Sequence, residues 1–129
     1  MTRNGLPRPT DAELAILRVL WERGESTVRE VHDVLARGSA IGYTTVLKLM
    51  QIMTEKGLVE RDESQRAHVY RALATEQKTQ RQLLTDLVDR AFGGSASKLV
   101  MQVLSDTKAT PEELASIRAL LAKHEEETR

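Results

Sequence analysis

Apolar residues recur every three or four positions in three stretches of the first half of the chain, which predicts three amphipathic helices. Gly24, Gly38 and Gly57 follow these stretches and are expected to end the helices, because glycine favours the position just after a helix. The apolar positions are Leu14, Leu17 and Trp21 in the first stretch, Val28, Val31, Val34 and Leu35 in the second, and Val46, Leu49, Met50 and Met53 in the third.

The first two predicted helices begin with the same signal. Thr10 is followed three residues later by Glu13, and Thr27 by Glu30. In such a capping box each side chain binds the backbone amide of the other residue, which satisfies two donors that the first turn leaves unpaired. The third helix is expected to start near Gly42 or Tyr43.

Beyond Gly57 the apolar spacing becomes that of strands. Residues 58–61 and 67–73 predict two short strands, and the polar residues 62–66 predict the turn between them. Three helices followed by a β-hairpin are the plan of a winged helix-turn-helix. We therefore expect a mainly α fold with a small β-hairpin wing, in a DNA-binding domain over residues 10–73. Residues 1–9, with one glycine and two prolines, predict a flexible N-terminal arm.

Residues 74–129 return to helical spacing. Thr75 is expected to cap a helix that Gly93-Gly94 interrupts, and a short helix follows. Thr110-Pro111-Glu112-Glu113 marks the start of the last helix, which is expected to reach about Lys123 and then fray.

These three helices are short and carry more apolar surface than they can bury alone, which predicts a helical dimerisation domain over residues 74–129. The expected homodimer interface consists of Leu83, Leu87, Val88, Leu99, Val103, Leu114, Ile117 and Leu121.

Composition and charge narrow the classes of function. The chain has 19 basic and 19 acidic residues, so any DNA binding must depend on a few well-placed cations. It has no cysteine, and His32, His68 and His124 lie on different predicted elements, so we expect no metal site. No catalytic motif, secretion signal or membrane-spanning apolar run occurs. We expect a cytoplasmic protein that is not an enzyme and needs no cofactor.

The third helix carries the candidate base-reading residues. A recognition helix enters the major groove with its N-terminal residues nearest the bases, where threonine and lysine make base or phosphate contacts. The alternative is that the threonines only cap the helix and the lysine is only solvated. The face opposite the apolar stripe presents Tyr43, Thr44, Thr45, Leu47, Lys48 and Gln51, and all of these except Leu47 are taken as candidate DNA contacts.

The hairpin supplies two further candidates. Arg66 and His68 alternate on one side of it, and Tyr70 is expected to continue that row. A cation at the tip of a wing is placed to follow the phosphates or to enter the minor groove. The alternative is an ordinary polar turn, which competes most strongly for His68.

Several segments resemble the BlaI/MecI/CopY repressors in their order and spacing, and the resemblance covers nearly the whole chain. It implies a homodimer that binds a palindromic operator in double-stranded DNA and represses genes for β-lactam resistance or related responses. It also implies, as a partner, a membrane sensor metalloprotease that triggers proteolytic inactivation of the repressor. The segments are Glu13-Leu14-Ala15-Ile16-Leu17-Arg18-Val19-Leu20-Trp21, Thr27-Val28-Arg29-Glu30-Val31, Tyr43-Thr44-Thr45-Val46, Arg66-Ala67-His68-Val69-Tyr70, Phe92-Gly93-Gly94 and Leu99-Val100.

The chain departs from the family pattern in two places. Copper-responsive members carry cysteines near the C-terminus, and this chain has none, so we do not expect copper sensing. Staphylococcal members are cut at an Asn-Phe bond in the short helix after the Gly-Gly. Gln102-Val103 occupies the matching place here and is the candidate cleavage site.

Two other functions stay open from the sequence. The first is a winged-helix regulator that senses a small ligand itself, although the tail shows no obvious polar pocket. The second is a winged helix used only for protein–protein contact, which DNA footprinting distinguishes from a repressor.

Overall fold

A computed structural model describes residues 7–128, and the remainder of the predicted N-terminal arm, residues 1–6, lies outside the described residues. The contacts divide the chain into two compact units after Thr85. The elements in chain order are α1 (Asp11–Arg23), β1 (Ser26–Thr27), α2 (Val28–Leu35), α3 (Tyr43–Lys56), β2 (Val59–Asp62), β3 (Val69–Ala72), α4 (Glu76–Ala91), α5 (Ala96–Asp106) and α6 (Pro111–Glu127). This mainly helical fold with one small sheet confirms the predicted fold class.

The predicted helix starts are confirmed by their hydrogen bonds. Thr10 and Glu13 form a capping box, with the Thr10 amide donating to Oε1 of Glu13 at 2.8 Å and the Glu13 amide donating to Oγ1 of Thr10 at 3.2 Å. The same reciprocal pair caps α2 through Thr27 and α6 through Thr110. At the end of α3, Gly57 has a φ of 81°, a left-handed conformation that glycine adopts without strain. These local signals set most helix boundaries in the chain.

Two predicted helix ends are wrong. The sequence places the end of α2 at Gly38, but the helix ends at Leu35 and the residues up to Gly38 form a turn. The sequence also ends α6 near Lys123 with a frayed acidic tail, but α6 continues to Glu127. Glutamate is a good helix former, which offsets its unfavourable position near the negative end of the helix dipole.

The first unit has a single core between its helices and its sheet. Helices α1, α2 and α3 contact one another, and α1 and α3 also contact the strands. The core is aliphatic apart from one tyrosine. Its most deeply buried members are Ile16, Leu17, Val31, Val46, Met50, Met53, Val59 and Tyr70.

The sheet has three antiparallel strands in the order β1-β3-β2, one more than the predicted hairpin. Ser26 of β1 pairs with Tyr70 of β3, and Val59 of β2 pairs with Ala72. A two-residue strand is too short to show an alternating pattern, so β1 has no signal in the sequence. It joins the wing to the helix-turn-helix, because β1 ends where α2 begins.

Tyr70 was assigned to the exposed row of the wing, and this is wrong. Its side chain is 2% exposed and belongs to the core. Arg66 and His68 precede β3 and lie in the turn, so the alternation of a strand does not extend from them to Tyr70.

An ion pair ties the start of α1 to the end of α3. Glu13 is 2% exposed, and its Oε1 accepts a hydrogen bond from Nζ of Lys56 at 2.6 Å. Burial alone would raise the pKa of Glu13, but the hydrogen bonds from Lys56 and from the Thr10 amide together lower it. A carboxyl group with a lowered pKa adds stability above its unfolded pKa and loses it as the pH falls through the folded pKa.

We expect Lys56→Met to lower the free energy of unfolding at neutral pH by about 2 kcal/mol, because it leaves a buried carboxylate without its cation. The loss should shrink as the pH is lowered, because a protonated Glu13 no longer needs a cation, and Glu13 becomes protonated at a lower pH in the unaltered chain than in the variant. Urea unfolding at a series of pH values measures this, with Lys48→Met on the exposed face of the same helix as the control. A loss that is the same at every pH would show that the charge of Glu13 is not its cause.

Candidate nucleic-acid interface

Helices α2 and α3 form a helix-turn-helix in which α3 has one buried face and one polar face. Val46, Met50 and Met53 are fully buried in the core. A recognition helix needs this division, because one side holds the helix on the domain while the other enters the major groove. The polar side is exposed at Thr44, Thr45, Lys48 and Gln51, four of the predicted DNA contacts.

The two threonines do not cap α3. Its N-cap residue is Gly42, and no side chain makes a capping hydrogen bond there. Both Thr44 and Thr45 are exposed in the first turn. Their hydroxyl groups are therefore available to DNA, and the capping alternative raised by the sequence is wrong.

The polar face of α3 is narrower in the structure than the sequence predicts. Leu47 was placed on it, but Leu47 is half-buried and packs against the core. At about 100° per residue it lies about 60° beyond Met50 around the helix, at the border of the buried face. Leu49, predicted to be buried, is also only half-buried.

The turn of the wing exposes a cation whose acidic neighbours are already engaged. Oδ1 of Asp62 accepts a hydrogen bond from the backbone amide of Ser64, with 2.9 Å between oxygen and nitrogen. This hydrogen bond lowers the pKa of Asp62. Glu63 pairs with Arg61 at 2.5 Å. Within residues 7–128, no carboxylate lies within ion-pair distance of Arg66, so its charge can meet an anion.

Three predicted DNA contacts meet at one cleft of about 380 Å³. Tyr43 lies on the α3 side, Arg66 and His68 lie on the wing side, and Arg29 of α2 is a further lining residue. None of the residues that line the cleft is acidic. The remaining candidates lie outside it, on the exposed face of α3, and are Thr44, Thr45, Lys48 and Gln51.

The sequence analysis did not predict Arg29 as a DNA contact, although the position of this arginine along α2 carries a signal. Its guanidinium carbon lies 5.7 Å from the centroid of the Tyr43 ring. The ring of His32 meets the same tyrosine edge-on, with centroids 5.9 Å apart and planes at 76°. Arg29 is in the first turn of α2, where the helix dipole disfavours a cation, and such a misplaced charge is a sequence signal for an external anion.

Acidic residues gather around another hollow of the first unit. This hollow, of about 310 Å³, is lined by Glu25, Glu60, Asp62 and Glu63 together with two arginines. One of those arginines, Arg71, is paired with Glu60. The net charge of the chain is zero, but its charges are unevenly distributed. The acidic residues lie at the other hollow, and the cleft beside α3 is lined by the cations Arg29 and Arg66.

The described part of the chain holds no group of three or more histidine, aspartate or glutamate side chains arranged to bind a metal ion. His32 is engaged with the carbonyl oxygen of Ile41, 3.1 Å from its Nε2. Among the same residues no helix has the length and apolar character needed to cross a membrane.

The predicted dimer residues lie on α4, α5 and α6, and none of them is fully buried. Leu87, Val103 and Leu121 are 47%, 49% and 54% exposed. Helices α5 and α6 contain no buried residue. The others are half-buried and comprise Leu83, Val88, Leu99, Leu114 and Ile117.

The candidate cleavage site lies on the exposed surface of α5. Both Gln102 and Val103 are exposed, and Nε2 of Gln102 donates to Oδ2 of Asp106 at 2.5 Å. Gly93 and Gly94, with φ of 57° and 84°, separate this helix from α4.

A helix-turn-helix followed by a β-hairpin, with a polar recognition helix beside an exposed wing, defines a winged-helix domain of the kind that reads DNA. A model of the penicillinase repressor family matches residues 9–123. The chain therefore belongs to the penicillinase repressor family, as the resemblance noted in the sequence implies.

Individual relatives agree with this assignment. The transcriptional regulator BlaI of Mycobacterium tuberculosis is 31% identical over 121 residues, which cover 93% of this chain and 87% of the relative. The penicillinase repressor of Bacillus licheniformis is 22% identical over 119 residues, which cover 92% and 93%. The solution structure of the Bacillus licheniformis BlaI monomeric form in complex with the blaP half-operator matches with a TM-score of 0.50 at 25% identity, over 60% of this chain and 92% of that one. The family consists of transcriptional repressors, which are not enzymes.

Proposed function

We propose that the chain represses transcription in the cytoplasm by binding an inverted-repeat operator as a homodimer. The observation that carries this proposal is the exposed polar face of α3, which begins beside a cleft lined by Arg29 and Arg66 and by no acidic residue. The Bacillus licheniformis relative is described as a monomer on a half-operator. That description supports one reading domain for each half-site.

Each group of exposed residues has its own part in this proposal. Thr44, Thr45, Lys48 and Gln51 lie where a recognition helix meets base edges and determine the sequence that is read. Arg66 and His68 on the wing contact the sugar-phosphate backbone or the minor groove and contribute affinity for any sequence. The first group gives specificity, and the second holds the domain in register.

The dimer is proposed from the composition of the second unit, residues 86–129. Asp86 is the one fully buried residue described there, so this unit has no apolar core of its own. A domain with a half-exposed apolar stripe and no core gains stability by packing against a second copy, and a two-fold interface buries each side chain twice. The candidate residues on α4, α5 and α6 supply that interface.

The regulated genes in this proposal are those of β-lactam resistance or a related response, as the family's name suggests. Release occurs by proteolysis in the tail after a membrane sensor metalloprotease is activated. Helix α5 supports this mechanism because a helix without buried residues unfolds locally at low cost and then exposes its backbone to a protease. Cleavage at Gln102-Val103 removes α6 from the interface.

One observation favours direct ligand sensing as a second candidate. The sequence shows no obvious polar pocket in the tail, but the second unit has a hollow of about 360 Å³ lined by Phe92, Met101 and the polar residues Ser97, Lys98, Gln102 and Ser105. We retain proteolysis as the proposal because all four of these polar residues are exposed, and drug-sized ligands are held in mostly enclosed apolar pockets.

Selection from a random library of DNA duplexes tests the proposed function. The account expects an enriched inverted repeat whose half-sites are one helical turn, about 10–10.5 base pairs, or a multiple of it apart. Enrichment of no sequence, with weak binding to all duplexes, would favour a winged helix that serves protein–protein contact.

The specificity of this operator is expected to change when Thr45 is replaced. Thr45→Ala should weaken binding to the selected site by about 1–3 kcal/mol and relax the preference at one base pair in each half-site. Arg66→Ala should instead weaken binding to all sequences and flatten the salt dependence, as loss of a phosphate contact does. Quantitative binding to a set of single-base-pair operator variants separates the two effects. Unchanged base preference in Thr45→Ala would remove Thr45 from the base-reading residues.

A further inference from the structure

We propose that Arg29 is a phosphate-binding residue near the N-terminus of the recognition helix, and that Tyr43 positions Arg29 rather than reading a base. This inference rests on the proposed function, because the phosphate belongs to the backbone of the bound DNA. It reassigns one predicted contact and adds a residue that the sequence did not single out.

The position of Arg29 is set by an aromatic platform. Its guanidinium carbon is 5.7 Å from the centroid of the Tyr43 ring, within the range of a cation–π contact. Tyr43 is the first residue of α3, so this contact joins the start of α2 to the start of the recognition helix. A long flexible side chain that is already held in place loses less entropy when it binds an anion.

The Tyr43 ring is itself in contact with a second aromatic side chain. The imidazole of His32 meets the Tyr43 ring edge-on, at 5.9 Å between centroids. Nε2 of His32 is 3.1 Å from the carbonyl oxygen of Ile41, and since a carbonyl can only accept, this nitrogen donates. His32 thus fixes both the turn before α3 and the ring on which Arg29 rests.

The charges around Arg29 favour an anion from outside the protein. In the described part of the chain no carboxylate is within ion-pair distance of Arg29, and the neighbouring carboxylate of Glu30 is paired with Arg23 at 3.1 Å. Arg29 and Arg66 line the same cleft, which has no acidic lining residue. Arginine binds phosphate with two parallel hydrogen bonds, and this geometry suits a backbone phosphate that passes between helix and wing.

Placement distinguishes a phosphate from a base as the target. Arg29 belongs to α2, and the first helix of a helix-turn-helix crosses the DNA backbone while the second enters the groove. Tyr43 is 42% exposed, but its ring is already engaged by the Arg29 guanidinium and by the His32 imidazole. We therefore assign base reading to the exposed residues further along α3.

The test measures binding to the selected half-site over a range of salt concentrations. Arg29→Gln is expected to weaken binding about tenfold to every sequence, because it removes a charge-assisted hydrogen bond. It should also reduce the salt slope by about 0.9 per half-site, the value for one lost phosphate contact. Arg18→Gln, an exposed arginine of α1 away from the cleft, removes the same charge and is the matched control.

The role of Tyr43 is tested by rescue and by a double-mutant cycle. Tyr43→Leu should weaken binding about two- to fivefold, and Tyr43→Phe, which keeps the ring, should restore most of that loss. In the Arg29→Gln background, Tyr43→Leu should have little further effect, because the cation that it positions is absent. Thermal unfolding of the DNA-free variants confirms that each remains folded.

Several outcomes would overturn the inference. If Arg29→Gln alters the preference at one base pair, Arg29 reads a base. If Tyr43→Phe binds as weakly as Tyr43→Leu, the hydroxyl group itself contacts DNA. A third outcome is that Arg29→Gln leaves the affinity for DNA unchanged, while inorganic phosphate stabilises the unaltered chain but not the Arg29→Gln variant. In that case the cleft binds a free anion instead.

The same experiment separates this inference from the proposed function. If the unaltered chain binds its selected site tightly and Arg29→Gln does too, the phosphate contact is wrong and the repressor function stands. If the unaltered chain selects no site at all, the repressor function itself fails.

Discussion

A chain that ends at Gln102 is expected to be largely monomeric and to bind a full inverted-repeat operator at least tenfold more weakly than the complete chain, a loss of about 1.4 kcal/mol or more. The truncation removes α6 with Leu114, Ile117 and Leu121, whose apolar side chains are at most half-buried within one chain. Without them, the remaining apolar surface of α4 and α5 is too small to hold two chains together at cellular concentrations. The reading domain keeps its core, because no apolar residue of the core or packed against it lies beyond Ala72.

The loss of affinity follows from the geometry of a dimer on DNA. When one reading domain is bound, the dimer holds the second close to its half-site at a high effective concentration, and the monomer lacks this effect. Sedimentation and operator binding measure the two consequences separately. A chain ending at Lys123 keeps the apolar stripe of α6 and should behave as the complete chain. Full operator affinity from the chain that ends at Gln102 would contradict release by proteolysis and favour direct ligand sensing.

Leu87→Asp is expected to convert the dimer into a folded monomer. Leu87 is 47% exposed on α4, so dimerisation can bury this exposed half of its surface, worth about 1 kcal/mol per chain and about 2 kcal/mol for a symmetric pair. Two aspartates facing each other across the axis add a desolvation cost and a repulsion of like charges. The dimer dissociation constant should therefore rise by well over tenfold.

The loss of the dimer is expected to depend on where the carboxylate is placed, not on the added charge itself. Thr85→Asp places a carboxylate on the same helix, outside the apolar stripe, and should leave the dimer intact. Both variants should retain the unfolding transition of the reading domain. If Leu87→Asp sediments as a dimer at micromolar concentration, the interface lies elsewhere.

Features that depend on residues close together in sequence were predictable. The capping boxes at Thr10 and Thr27, the helix start at Thr110 and the glycine after α3 each involve residues within about one helical turn, and all are present as expected. Helical periodicity also identified the buried face of α3 correctly at Val46, Met50 and Met53. A local rule suffices there because the chain itself brings the partners together.

Features that depend on distant partners were not predictable in the same way. Tyr70 is buried because it lies on the face of β3 that packs into the core, and the pairing of β3 with β1, whose two residues carry no pattern, cannot be read from the sequence. Arg29 and Tyr43 lie on different helices and meet only because the turn between α2 and α3 brings them together. The sequence therefore predicts candidate contacts along α3, while Arg29 on α2 was not predicted.

The most direct test of the dimeric repressor compares the complete chain on its selected inverted repeat with the same duplex in which one half-site is scrambled. The account predicts two chains on the intact operator and at least tenfold weaker binding to the scrambled one, because the second reading domain then gains only non-specific contacts. Equal affinity for the two duplexes, with one chain bound to each, would contradict it.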